Sequence, residues 1–148
     1  MIAVRSIDRS EFSRVLSFYQ ETEYKGGLTE SDQVVIAERH GKLLAAVRLC
    51  EEAGELVLRG MRVSTSVQRQ GIGTRLLEGL VPFLRDRVCY CLPYRYLKEF
   101  YGTIGFVELD PVDAPHLLQE RLEHYRTMGL DSIIMAKKGE QQGDIYHG

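Results

Sequence analysis

Val63-Ser-Thr-Ser-Val-Gln68-Arg69-Gln70-Gly71-Ile72-Gly73-Thr74 lies between a β-prone run that ends at Val63 and a helical pattern with Ile72, Leu76, Leu77, Leu80 and Leu84 on one face. Two glycines this close let a backbone approach something bulky. A helix that starts at such a turn leaves its first N–H groups unpaired and carries a partial positive charge, which suits a phosphate. Arg69 and Arg75 can add charge-assisted contacts to the same anion. On the residues alone a plainer reading stands beside this one, in which the glycines only permit a tight strand-to-helix turn. Other phosphate loops fit worse. The Walker pattern is absent, and the dinucleotide pattern G-x-G-x-x-G fails because Leu76 occupies the place of the third glycine.

On the N-terminal side of this stretch, residues 34–38, 43–51 and 55–63 read as three strands separated by His40-Gly41-Lys42 and Ala53-Gly54, an antiparallel meander. Before them, a short strand over residues 2–7 leads to Asp8 and Glu11, which open a helix with Phe12, Val15, Leu16 and Tyr19 facing inward. Gly26-Gly27 marks a loop. On the C-terminal side, Pro82 should kink or end the helix, because it lacks an N–H and crowds residue 78. Strands over 87–92 and 105–109 then alternate with a short helix over 94–101. A helix over 115–128 and a strand over 130–136 complete the pattern, which predicts a mixed sheet with parallel neighbours near its middle.

The 148 residues are 44% apolar and 27% charged, with 19 Lys and Arg against 21 Asp and Glu. That composition predicts an ordered globular chain and gives no basic excess for nucleic acid. No run approaches the ~18 apolar residues of a membrane span. The opening residues carry Arg5 and Asp8 where a cleavable leader needs an apolar stretch, and Cys50, Cys89 and Cys91 cannot all pair. A reducing, cytoplasmic setting is therefore expected. The Cys89-x-Cys91 pair and the scattered His40, His116, His124 and His147 lack the ligand spacing of a zinc site, so no metal is expected.

Val63-x-x-x-x-Gln68-x-x-Gly71-x-Gly73 ahead of an amphipathic helix resembles motif A of the GNAT superfamily of acyl-CoA-dependent N-acetyltransferases. Downstream, Phe100-Tyr101-Gly102-Thr103-Ile104-Gly105-Phe106 resembles the family's aromatic-Tyr-x-x-x-Gly-Phe segment. The two motifs in this order are more specific than either alone. The resemblance spans most of residues 2–137. It implies an α/β, GNAT-like acyl-CoA N-acyltransferase fold: a mixed central sheet of about seven strands, splayed in the middle and flanked by helices. One such domain is expected over residues 1–137, followed by a polar tail over 138–148.

The resemblance further implies that acetyl-CoA is the co-substrate and lies where the sheet splays. Backbone groups of Met61, Arg62 and Val63 would pair with the pantetheine arm. The turn Gln68, Arg69, Gln70, Gly71, Ile72, Gly73 and Thr74 would hold the pyrophosphate. Tyr94 stands where many members place an Asn that contacts the pantetheine, and it is kept as a binding candidate with a different side chain. Tyr101 matches the family's tyrosine, whose hydroxyl can protonate the departing thiolate.

An acceptor amine with a lysine-like pKa near 10.4 costs about 4 to 5 kcal/mol to deprotonate at pH 7, so a carboxylate or a water chain must take its proton. Glu55 is the first candidate, with Glu51, Glu52, Glu21 and Glu23 as alternatives. The loop over 24–28 and the helix over 115–128 are expected to line the acceptor side; that helix could instead form a homodimer face or simply pack. The expected activity is transfer of an acetyl group to a primary amine of a small molecule or peptide. Two alternatives are a silent CoA-binding or protein-interaction module and a small nucleotide-binding regulator.

Overall fold

The computed structural model describes residues 1–140, so the expected tail falls largely outside the described residues. Seven strands, β1 (Ala3–Ile7), β2 (Gln33–Arg39), β3 (Lys42–Glu52), β4 (Glu55–Val63), β5 (Cys89–Cys91), β6 (Val107–Leu109) and β7 (Ile134–Lys137), form a mixed sheet in the order β1-β2-β3-β4-β5-β7-β6. Helices α1 (Phe12–Glu21), α2 (Ile72–Leu80), α3 (Lys98–Gly102) and α4 (His116–Thr127) flank it. The contacts gather into two compact units, one of Met1–Glu51 and Leu58–Pro82, the other of Glu52–Val57 and the chain from Phe83 onward.

In the first unit β1 and β3 pair antiparallel with either side of β2. His40-Gly41, before β3, and Ala53-Gly54, after it and counted with the second unit, are two-residue connections that hold all four residues at positive φ, the conformation that matches hairpin twist. Asp8 caps a 3-10 turn, Arg9–Glu11, ahead of α1 rather than α1 itself. The buried face of α1 is Val15, Phe18 and Tyr19, packed on Ile7, Val34, Ile36 and Ala46. Leu16, expected inside, is 45% exposed, because the 3-10 turn sets the start of the helix and Phe18 takes the inward position. Helix α2 buries Ile72, Leu76, Leu77 and Leu80. It ends at Leu80, two residues before Pro82, and the chain continues as a 3-10 turn, Val81–Leu84. That follows from the missing N–H of proline.

In the second unit the first residues of β4 run parallel to β5 in a two-pair ladder, Leu56↔Cys89 and Val57↔Tyr90. Strand β7 pairs antiparallel with both β5 and β6. Helix α4 closes a core of Val57, Ala114, Leu118, Leu122 and Ile134. The helix expected over 94–101 is split into a 3-10 turn, Arg95–Leu97, and α3, while β5, β6 and β7 are shorter than their apolar runs. Among the described residues no helix is long and apolar enough to cross a membrane.

Candidate active site

Within the first unit, Gly60 sits inside β4 at φ 69°. A left-handed residue inside a strand is a position that favours glycine. Its carbonyl accepts a 2.8 Å hydrogen bond from the Tyr19 hydroxyl, and a Cβ at this position would come within 2.9 Å of that same oxygen and 3.1 Å of the Tyr24 ring. Burial pushes the Tyr19 phenol far above its ordinary pKa, so it remains a donor at any physiological pH.

Beyond Val63 the chain turns through Thr65–Val67, anchored by the buried Val67. Gln68 is extended, and its side-chain amide reaches the Val63 carbonyl at 3.5 Å. Arg69 at φ 68° and Gly71 at φ 77° then bracket Gln70 in left-handed conformations. Helix α2 begins at Ile72 with no side-chain cap, and its first turn closes with the Arg75 N–H donating to the Gly71 carbonyl at 3.0 Å. The N–H groups of Ile72, Gly73 and Thr74 precede that bond and have no intrahelical partner. A Cβ at Gly71 would meet nothing within 4 Å, so the turn faces open space. The geometry suits a phosphate: uncapped donors, an unshielded helix dipole, and exposed Arg69 and Arg75 beside them.

Met61, Arg62 and Val63 end β4 in the first unit, whereas Tyr101, Tyr94 and Glu55 lie in the second. Tyr101, on α3, is 5% exposed and held edge-on by Phe100 and Phe106, with ring centroids 5.0 and 6.0 Å away. The Phe106 N–H donates to the Tyr101 carbonyl, so both ends of the aromatic segment fix this residue. Tyr94 is 42% exposed, stacked on Tyr96 and bridged to Ser132. Glu55 opens β4 half-buried, and its charge helps burial to raise the pKa of Tyr90. Among the alternative bases, Glu52 is engaged by the Arg121 guanidinium at 2.6 and 3.3 Å, whereas Glu21, Glu23 and Glu51 are exposed. Burial raises the Cys91 thiol well above its ordinary pKa, which leaves little thiolate for nucleophilic work. No group of His, Cys, Asp and Glu among the described residues could hold a metal ion.

Two features of the first unit lay outside the sequence expectations. One is the left-handed Gly60 within β4, for which a lone glycine inside a strand pattern was the available signal. The other is a buried ion pair of Arg48 with Asp32 that also holds the Tyr24 hydroxyl. Strand alternation hid it, because Arg48 lies inside an otherwise apolar run.

A strand that leads through a left-handed turn into an uncapped helix is an arrangement that suits a phosphate ligand in an α/β protein. The chain belongs to the GNAT acetyltransferases: the family model described as "Acetyltransferase (GNAT) domain" matches residues 30–108, more than half its length. Among solved structures it is similar to N-acetylglutamate synthase from Neisseria gonorrhoeae complexed with coenzyme A and N-acetyl-glutamate, with a TM-score of 0.68 and 20% identity. That alignment covers 93% of this chain but 35% of the synthase, so the chain spans about a third of that protein. It is similar as well to the ribosomal-protein-S18-alanine N-acetyltransferase from Escherichia coli (TM-score 0.66, 19% identity, covering 93% of this chain and 94% of that one). A third is the PaiA N-acetyltransferase from Thermoplasma acidophilum in complex with coenzyme A (0.62, 15%, covering 93% and 99%). At these identities the likeness is one of fold. No curated protein matches the chain.

Proposed function

We propose that this protein is an N-acetyltransferase that moves an acetyl group from acetyl-CoA directly to a primary amine of a small molecule or peptide, working as one domain over residues 1–137. The observation that carries the proposal is the uncapped start of α2 behind the left-handed Arg69 to Gly71 turn, in a chain of the GNAT family. Amides of residues 69–74 would hold the pyrophosphate, with Gln68 bracing the turn through Val63. Backbone groups of Met61, Arg62 and Val63 would pair with the pantetheine arm, and Tyr94 would flank it. That the neighbouring gonococcal and Thermoplasma structures hold coenzyme A supports this choice of donor.

The donor supplies an electrophilic thioester carbonyl. The amine nitrogen forms the new C–N bond as the C–S bond breaks. Tyr101 gives its phenolic proton to the departing sulfur and recovers one from solvent. Glu55 takes the proton that the amine must lose. Positioning is the larger contribution, since holding two reactants in line replaces a bimolecular encounter.

The test is consumption of acetyl-CoA across a panel of amines, with calorimetric titration of coenzyme A on the same protein. Binding with turnover supports the transferase, binding without turnover on any amine points to a silent CoA-binding module, and tight competition by ATP but not coenzyme A points to a nucleotide-binding regulator.

A further inference from the structure

Two guanidinium groups flank the ring of Tyr24 in the first unit, and they differ in what they hold. Arg48 lies 5.9 Å from the ring centroid and donates to the Tyr24 oxygen at 2.6 Å. It is buried and neutralised, since its Nε and Nη2 reach the Asp32 carboxylate at 2.9 and 2.8 Å. Asp32 also accepts from the backbone N–H and the hydroxyl of Thr29, so its lone pairs are well used. Arg62, from β4, lies 5.2 Å from the centroid of the same ring. Its one hydrogen bond among the described residues goes to the carbonyl of its neighbour Met61, a long 3.3 Å, and no carboxylate pairs with it there.

A guanidinium that is half-buried and unpaired keeps its charge, because arginine does not deprotonate in proteins. An arriving anion would therefore meet a charge that no carboxylate among the described residues already holds. Tyr24 limits its motion through the face of the ring, so less order is lost when a ligand arrives. Most of its N–H donors are uncommitted, in the planar fork that matches a carboxylate with two parallel hydrogen bonds. Of the two guanidinium groups on the Tyr24 ring, Arg48 is thus paired with a carboxylate and, among the described residues, Arg62 is not. The donor's diphosphate does not account for it, since the turn at residues 69–75 has its own amides and arginines.

We infer that Arg62, held against Tyr24, binds a carboxylate of the acceptor, so that the amine acetylated by this protein belongs to an aminocarboxylate such as a free amino acid. The inference rests on the transferase reading for the amine and on the Arg62 site for the carboxylate, and the two fail separately. A free amino acid offers both groups on one small frame. An alkyl polyamine offers no anion and places a second cation beside Arg62.

The full chain is assayed with acetyl-CoA and a panel of free amino acids, each matched with its fully amidated counterpart. In parallel, the CoA-saturated protein is heated with the corresponding N-acetylamino acids and their amides. The expected result is a preference in kcat/KM for the carboxylate form of about 10- to 100-fold, the worth of one charged hydrogen-bonded contact. Arg62→Met should abolish that preference, and Arg62→Lys, which keeps the charge, should retain part of it; neither substitution removes the backbone groups of residue 62 that are proposed to pair with the pantetheine arm. The thermal shift given by N-acetylamino acids should fall in step.

Equal turnover of amidated amines overturns the carboxylate site, and so does a preference that survives Arg62→Met. A rise in KM for acetyl-CoA in Arg62→Met without a change in the carboxylate preference also overturns it and assigns the Arg62 side chain to the donor. A protein that neither binds nor consumes acetyl-CoA sinks the transferase reading. The carboxylate site then stands only if N-acetylamino acids still stabilise the wild type over Arg62→Met, and falls if they do not.

Discussion

Gly60 and Tyr101 show how differently single residues bear on this protein. At Gly60 the backbone is left-handed and the space for a Cβ is already taken by the Tyr19 hydroxyl and the Tyr24 ring. Gly60→Ala should therefore destabilise by about 1–3 kcal/mol, through backbone strain and a displaced Tyr19 hydrogen bond, read as a lower urea midpoint with an unchanged slope. At Tyr101 the ring carries the packing, and the hydroxyl is the proposed proton donor. Tyr101→Phe keeps the edge-on contacts with Phe100 and Phe106 and should lower kcat by about 10²- to 10⁴-fold while coenzyme A still binds. A variant with full turnover would remove Tyr101 from the proton path. Arg48→Met is harsher on stability, since it leaves the Asp32 carboxylate buried without its partner, a loss of about 3–5 kcal/mol in denaturant unfolding at pH 7.

Elements add constraints that no one side chain expresses. Gly79 lets α2 lie close to β1, and a Cβ there would run into Val4, within 2.7 Å of its Cβ and closer still to Cγ1. Because a β-branched side chain cannot swing away, Gly79→Ala should lose about 1–3 kcal/mol to overpacking, only partly offset by the roughly 1 kcal/mol of helix propensity that alanine adds. Chemical denaturation of the two proteins side by side measures the difference.

The start of α1 makes a second prediction. Glu11, just before it, accepts from Arg5 of β1, which holds its carboxyl down to about 2 from 4.5, and Arg5 also lowers Glu38 of β2. A depressed carboxyl contributes stability that is present above its unfolded value and is lost as pH falls through its folded one. Stability should thus decline from about pH 4.5 toward pH 2, and Arg5→Met should flatten that limb of the urea midpoint against pH.

The same elements mark how far the sequence was legible. The strands flanking β3, the α2 face and the end of α2 near Pro82 follow local rules of periodicity, turn chemistry and proline sterics. The inward turn of Phe18 in place of Leu16 does not, since it depends on a 3-10 turn that shifts the helix start. Arg48 was hidden too, because its pairing with Asp32 is a contact across the fold that alternation reads as one more apolar position.

At the scale of the whole molecule, the net charge of −2 offers no general attraction for an anionic ligand, so affinity for coenzyme A must come from local donors. That separates a built site from a diffuse basic surface, whose binding would collapse with salt. If the backbone amides at the start of α2 hold the diphosphate as proposed, they serve any ligand that carries one, which gives an ordering: coenzyme A should stabilise most, ADP less, and adenosine hardly at all. A ligand at a hundred times its dissociation constant adds about 2.7 kcal/mol to a protein that binds it only when folded. For a chain of this length each kcal/mol moves the melting temperature by about 2–4 °C, so saturating coenzyme A should raise it by about 5–10 °C. A thermal-shift titration of the three ligands reads both the ordering and the size. An equal shift from adenosine would transfer the binding energy from the turn to a purine pocket, and no shift from coenzyme A would leave the uncapped helix as a structural turn without a ligand.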